Sequence, residues 1–277
     1  MLNKLQEAQE HLKRAEIAMK KNIFAFKFSP DLMTAASEYS EAAQAFFQAG
    51  SPEESKAAWL RAGEIRLKQN DQFSAGRCFE SAGAFDKASE SYGLAGKTDA
   101  AARALMKSAE TDPARSAEAF EKVIAIYDND DKAILAVDIF RQYLNKIGTE
   151  DLVRYAAISE RFTEVLKKVG QWAYVHKEIL TQIIVALVFG DTVKASKILD
   201  SSMSVQDWMR SSEYGLAEDL VTSIKERDEE ALATTLKKQQ ITFLRPEVVR
   251  LARTLKVSRT SQAAEDQPQV DEDDHLR

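Results

Sequence analysis

The sequence predicts an all-α protein: an α-solenoid of stacked helical hairpins with a helical bundle capping its C-terminal end. Three observations predict it. No proline falls between Pro113 and Pro246, and that span is rich in Ala, Leu, Glu, Lys and Gln, the residues that favour helix. The Val/Ile/Thr alternation of a half-buried strand is missing. Finally, Ala36-x-x-Tyr39, Gly76-x-x-Phe79 and Ala117-x-x-Phe120 recur at steps of about 40 residues. Each pair lies on one helical face, where the small residue admits a neighbouring helix and the ring fills the space beside it. Units of this kind cannot bury a core alone, so they stack.

The elements follow in order. Residues 1–21 are charged and amphipathic, without the apolar run of a secretory signal, and form the first helical pattern. In residues 22–30, Phe24, Phe26 and Phe28 alternate with Ala25 and Lys27, and Pro30 disfavours a helical Ser29. This aromatic loop has two readings. Its rings pack onto the first repeat, or some are exposed at a loop tip. There, with Lys20, Lys21 and Lys27, they would dip weakly and reversibly into an anionic bilayer surface, each lysine adding roughly 1 kcal/mol. Helices of about 12 to 16 residues follow, separated by turns at Ser51-Pro52, Asn70-Asp71, Lys97-Thr98-Asp99, Thr111-Asp112-Pro113, Asp128-Asn129-Asp130, Gly148-Thr149 and Gly190-Asp191. Ser51 and Asp112 each precede a proline at a first helical position, a favourable cap. Small pairs recur at Ala49-Gly50, Ala62-Gly63, Ala82-Gly83 and Ala95-Gly96. The apolar segment Ile179–Phe189 is far shorter than the roughly 20 residues of a membrane span and reads as a buried helix. The array resembles tetratricopeptide repeats and fades after Tyr174. Residues 1–204 are therefore assigned to a twisted sheet of hairpins, 205–260 to the C-terminal helical bundle and 261–277 to an acidic flexible tail.

Charge follows this division. The net charge is -6. Residues 261–277 hold Glu265, Asp266, Asp271, Glu272, Asp273 and Asp274 against Arg277, so the body is nearly neutral. Residues 237–259 carry Lys237, Lys238, Arg245, Arg250, Arg253, Lys256 and Arg259 against Glu247 alone, which reads as a cationic last helix or a solvated helix face. The single cysteine, Cys78, excludes an internal disulfide framework and fits a reducing compartment.

No chemistry-bearing constellation is present. His11, His176 and His275 are far apart in sequence and lie in no metal-binding pattern, Cys78 lacks a CxxC partner, and there is no GxxxxGK[ST] loop. The expectation is a protein that is not an enzyme, with no cofactor or metal.

The stretch Lys27-Phe28-Ser29-Pro30-Asp31 followed by Ala35-Ala36-Ser37-Glu38-Tyr39-x-x-Ala42-Ala43-x-Ala45-Phe46 resembles the first helical hairpin of the soluble NSF attachment proteins (SNAPs), most similar to the gamma type. The ending, acids followed by Leu276-Arg277, is similar to that of the alpha type. The resemblance is dense over residues 10–125, thins through 126–260 and returns at the tail. It implies a cytoplasmic adaptor, peripherally associated with membranes, that binds the SNARE four-helix complex (syntaxin-type), recruits the hexameric ATPase NSF and binds no nucleic acid. On that resemblance Lys107, Arg141 and Lys177 face the SNARE bundle. Leu276, Glu226, Asp228 and Glu229 act on NSF, and Phe24, Phe26 and Phe28 form the membrane-contact loop. The rival readings are a tetratricopeptide-like interaction scaffold unrelated to NSF, and an enzyme.

Overall fold

The computed structural model describes residues 2–20, 29–129 and 132–257. Among these there are fourteen α-helices and no strand, which is the all-α class read from the sequence. Two compact units divide the chain, Met1–Tyr143 and Leu144–Arg277.

The first unit contains α1 (Leu2–Met19), α2 (Leu32–Gln48), α3 (Pro52–Lys68), α4 (Gln72–Ser81), α5 (Phe85–Leu94), α6 (Thr98–Thr111), α7 (Ser116–Asn129) and most of α8 (Ala133–Ile147). Each helix from α1 to α6 packs against the next, as in a solenoid of hairpins. One turn design repeats four times. The residue after the C-cap takes a left-handed φ, at Gly50 (78°), Asn70 (58°), Gly83 (69°) and Gly96 (67°). The next amide then bonds back to a carbonyl five residues earlier: Ser51 to Phe46 at 2.9 Å, Asp71 to Arg66 at 3.0 Å, Ala84 to Phe79 at 2.8 Å and Lys97 to Tyr92 at 2.8 Å. Such an end satisfies helix carbonyls and reverses the chain within three residues, so neighbouring helices run antiparallel. Asp31 and Asp71 then cap α2 and α4, accepting from the amides of Thr34 and Ser74, both at 3.1 Å. Ser51 occupies the cap position of α3 ahead of Pro52, but its side chain makes no capping bond.

Three of the four small pairs are therefore helix ends. Ala62-Gly63 differs, because it lies inside α3. A Cβ on Gly63 would stand 2.6 Å from the Phe79 ring, and one on Gly76 2.7 Å from the Tyr92 ring. Both rings are buried. The glycine of one helix thus receives the aromatic ring of the next, and α3, α4 and α5 approach closely. Alanines fill the rest of this core, with Ala8, Ala35, Ala36, Ala42, Ala43, Ala75 and Ala88 fully buried.

The second unit contains α9 (Leu152–Lys168), α10 (Trp172–Val188), α11 (Thr192–Ser201), α12 (Ser212–Glu226), α13 (Glu229–Thr235) and α14 (Pro246–Ala252), with 3₁₀ turns at Ser202–Ser204, Trp208–Arg210 and Gln239–Phe243. Here the packing is not simply sequential, since α10 touches α9, α11, α12 and α14. Its sequence explains this. The helix is apolar nearly all round, and Val175, Ile179, Leu180, Ile183, Ile184, Val185 and Leu187 are buried. Trp208 is fully buried beside His176, with ring centroids 5.7 Å apart, and meets Tyr214 edge-on at 5.9 Å. Among the described residues no helix is long and apolar enough to cross a membrane.

Candidate partner-binding surfaces

Lys107 projects from α6 of the first unit. Its Nζ donates to Glu80 Oε1 on α4 at 2.6 Å, and Glu80 Oε2 accepts from the Tyr92 hydroxyl on α5 at 2.7 Å. One carboxylate thus ties three successive helices. Arg77 on α4 and Arg103 on α6 are exposed, and both charges act on Tyr92. Burial pushes the Tyr92 phenol above its ordinary range, and the bond to Glu80 reinforces the shift. Burial also opposes ionisation of Glu80, but the bonds from Lys107 and Tyr92 prevail and hold its carboxyl below the usual range. With three cations around one acid, the patch is net positive. Its ion pair is half-exposed and contributes about 0–1 kcal/mol, so it orients more than it stabilises.

Arg141 lies on α8, its Nη1 3.1 Å from Asp138 Oδ1 one turn away. Lys177 belongs to the second unit. It is half-buried on α10 with its Nζ 5.9 Å from the centre of the Tyr174 ring. The structure thus places Arg77, Arg103 and Lys107 about the Tyr92–Glu80 pair, while Arg141 pairs with Asp138 and Lys177 lies by Tyr174. Arg77 and Arg103 were missed by sequence reasoning. The i, i+4 spacing of Arg103 and Lys107 was the available signal, since it puts both on one face of α6.

The acids Glu226, Asp228 and Glu229 are exposed where α12 passes into α13. Arg227 between them takes a left-handed φ of 58°, closing α12. Asp228 caps α13, accepting from the Ala231 amide at 2.8 Å, so one of its oxygens already has a structural partner. An open groove of about 480 Å³ lies beside Glu229, lined by Leu232, Ala233, Leu236, Leu255, Lys256 and Val257. Phe24, Phe26, Phe28 and Leu276 lie outside the described residues, as does the tail 261–277.

The cationic C-terminal segment is corrected in one respect. Arg245 is not on a solvated face. Its guanidinium forks onto Glu178, with Nη2 3.0 Å from Oε2 and Nη1 on Oε1, while Nε donates to the Tyr155 hydroxyl at 2.9 Å and lies 3.2 Å from Glu247 Oε1. Ser159 donates to Glu178 at 2.8 Å, and Tyr155 to Glu247 at 3.3 Å. Burial works against the charge on Arg245, but the carboxylates outweigh it and hold the guanidinium ionised. This network bolts the start of α14 to α9 and α10. Exposed bases remain at Lys237, Lys238, Arg250, Arg253 and Lys256, with Lys238 paired to Asp219.

No group of three or more His, Cys, Asp or Glu is placed to hold a metal among the described residues. Antiparallel hairpins presenting charged side chains on fixed helices define a helical-repeat scaffold. Comparison with known proteins narrows that class: the model of the family "Soluble NSF attachment protein, SNAP" matches residues 3–242, and the chain belongs to that family. A relative is the gamma-soluble NSF attachment protein of Dictyostelium discoideum, 23% identical over 283 residues covering 94% of this chain and 85% of the relative. The likeness to the gamma type noted from the first hairpin agrees with this relative.

Proposed function

We propose that this protein is an NSF-attachment adaptor that binds SNARE four-helix complexes and recruits and stimulates the ATPase NSF, so that the motor pulls the bundle apart for vesicle fusion and intracellular transport. The observation that carries the reading is a net-positive patch, Arg77, Arg103 and Lys107, on a hairpin array whose chain belongs to the SNAP family. A fused helical bundle with an acidic surface is met by such bases through weak, salt-screened contacts that add up over a long face. Arg141 and Lys177 extend the basic set in this proposal. Glu226, Asp228 and Glu229 meet basic ground on NSF, and Leu276 raises its ATPase rate. Phe24, Phe26 and Phe28 give a weak peripheral membrane contact to a cytoplasmic protein. Catalysis belongs to the motor, and this chain is a coupling element without chemistry of its own.

The test is co-purification of the protein with NSF on an immobilised SNARE complex in the presence of ATPγS. The three are expected to be retained together and released when ATP and Mg²⁺ replace the analogue. Retention of the protein without NSF would leave a tetratricopeptide-like scaffold as the better reading.

A further inference from the structure

The first unit has two faces, because its odd- and even-numbered helices alternate. Each helix from α1 to α6 packs on the next, so α2 stands behind the gap between α1 and α3, and α5 behind the gap between α4 and α6. The basic patch of Arg77, Arg103 and Lys107 belongs to α4 and α6 and opens on the even-numbered side. On the odd-numbered side an open groove of about 470 Å³ runs between α1 and α3, with α2 as its floor. Its apolar lining is Leu12 and Met19 from α1, Phe46 from α2, and Ala58 and Ile65 from α3. Ala57, exposed on α3, stands at its rim. A similar groove of about 530 Å³ lies between α5 and α7 over Ala101 and Leu105 of α6.

The charges around the first groove are unevenly partnered. Glu16 on α1 and Glu54 on α3 are exposed and make no ion pair or side-chain hydrogen bond among the described residues. Arg61 is engaged by Glu64, its Nη1 3.3 Å from Oε2, while Lys68 stands unpaired at the far end of α3. Tyr39 also faces the groove. Burial pushes its phenol above the ordinary range, Glu16 reinforces the shift and Arg61 opposes it. Its hydroxyl has no hydrogen-bond partner among the described residues. The second groove repeats the pattern. Asp86 pairs with Arg115 and Lys122 with Glu118, each at 2.6 Å, and Lys87 Nζ lies 5.6 Å from the centre of the Phe79 ring. Glu90 there is exposed and unpaired among the described residues.

We infer that the groove between α1 and α3 docks a basic amphipathic helix of a partner protein, on the face away from the basic patch. Charge selects the occupant, since Glu16 and Glu54 are free to meet Lys or Arg and the Tyr39 hydroxyl is free to bond. Shape selects a helix. The walls are helices whose backbone groups are paired internally, so an extended segment finds no edge to join. A helix needs none, and an apolar stripe at i, i+4 and i+7 seats on Leu12, Phe46 and Ile65. From Glu54 to Lys68 the groove wall is about 21 Å long, about four turns of such an occupant. The acid at one end and the base at the other favour an occupant with its N-terminus beside Glu54 and its C-terminus beside Lys68. The chain would then hold two partners at once, one on each face.

Fluorescence anisotropy of a labelled helical peptide of about 18 residues, leucine on one face and lysine on the other, tests this on the full-length protein. Wild type is expected to bind it at moderate salt and to ignore the peptide with glutamate in place of lysine. Glu16→Lys with Glu54→Lys should weaken binding about tenfold, and Ala57→Trp, which fills the groove from an exposed position, about as much. Glu41→Lys with Glu110→Lys makes the same charge change at exposed positions of α2 and α6, and should stay within about twofold of wild type. All variants should keep the wild-type circular-dichroism signal. No binding of the leucine–lysine peptide by wild type, an equal loss in both charge pairs, or full binding by Ala57→Trp would overturn the inference. So would displacement of the peptide by a SNARE complex, which assigns the groove to the bundle, or a dimer broken by Ala57→Trp, which assigns it to a second copy. Peptide binding that persists where NSF does not co-purify would keep this inference and remove the adaptor reading alone.

Discussion

Gly63 and Gly76 carry the tightest packing of the hairpin array. A methyl group at either position would meet a buried ring at 2.6 Å or 2.7 Å, so helix or ring must shift. Gly63→Ala and Gly76→Ala should each destabilise by about 1–3 kcal/mol despite the gain in helix propensity, measured by denaturant unfolding. The sequence showed the small-x-x-aromatic spacing but not its pairing. The ring that fills Gly76 is Tyr92 of the next helix, and the one that fills Gly63 is Phe79, sixteen residues on. Arg245 was legible only as one base among seven, because its partners Glu178 and Tyr155 come from distant helices. Arg245→Ala should cost about 3–5 kcal/mol, since it strands two buried carboxylates, and a thermal or urea melt reads the loss. Glu80 has a pH signature. Its carboxyl is held below the ordinary range in the folded protein, so its contribution is present above that range and disappears as pH falls through the folded value. The difference in melting temperature between wild type and Glu80→Gln should therefore shrink as pH is lowered from about 7 to about 3.

At the scale of elements, the hairpin turns were the most legible feature. Gly and Asn after a helix and Asp before one have local causes, which a single sequence displays. Asp71→Ala should cost about 1 kcal/mol by removing the cap of α4. The central helix α10 was legible from its composition, because only a helix surrounded by neighbours can be apolar on every side. Its neighbours were not legible. Which of α9, α11, α12 and α14 surround it depends on long-range packing that no local pattern encodes. The same holds for the cationic segment after Lys237. Its charge is real, but a short 3₁₀ turn and a seven-residue helix replace a single last helix, and Arg245 turns inward.

At the scale of the whole molecule, the class of fold followed from a proline-free, alanine-rich chain with a repeat. The family resemblance agreed with a match spanning residues 3–242. The binding surface was only partly legible. Lys107 was named, and Arg103 was legible from its i, i+4 spacing on α6, but Arg77 joins them only when α4 and α6 stand beside α5. Reversing Lys107, Arg141 and Lys177 to Glu should abolish SNARE-complex binding at moderate salt while leaving the helical circular-dichroism signal intact. Adding Arg77→Glu and Arg103→Glu should remove what binding persists at low salt. The most direct measurement is disassembly of a fluorescently labelled SNARE complex by NSF and ATP, with and without this protein. The expected result is disassembly that requires the protein and slows when Leu276 is changed to Ala. Disassembly at the same rate whether or not the protein is added would contradict the account.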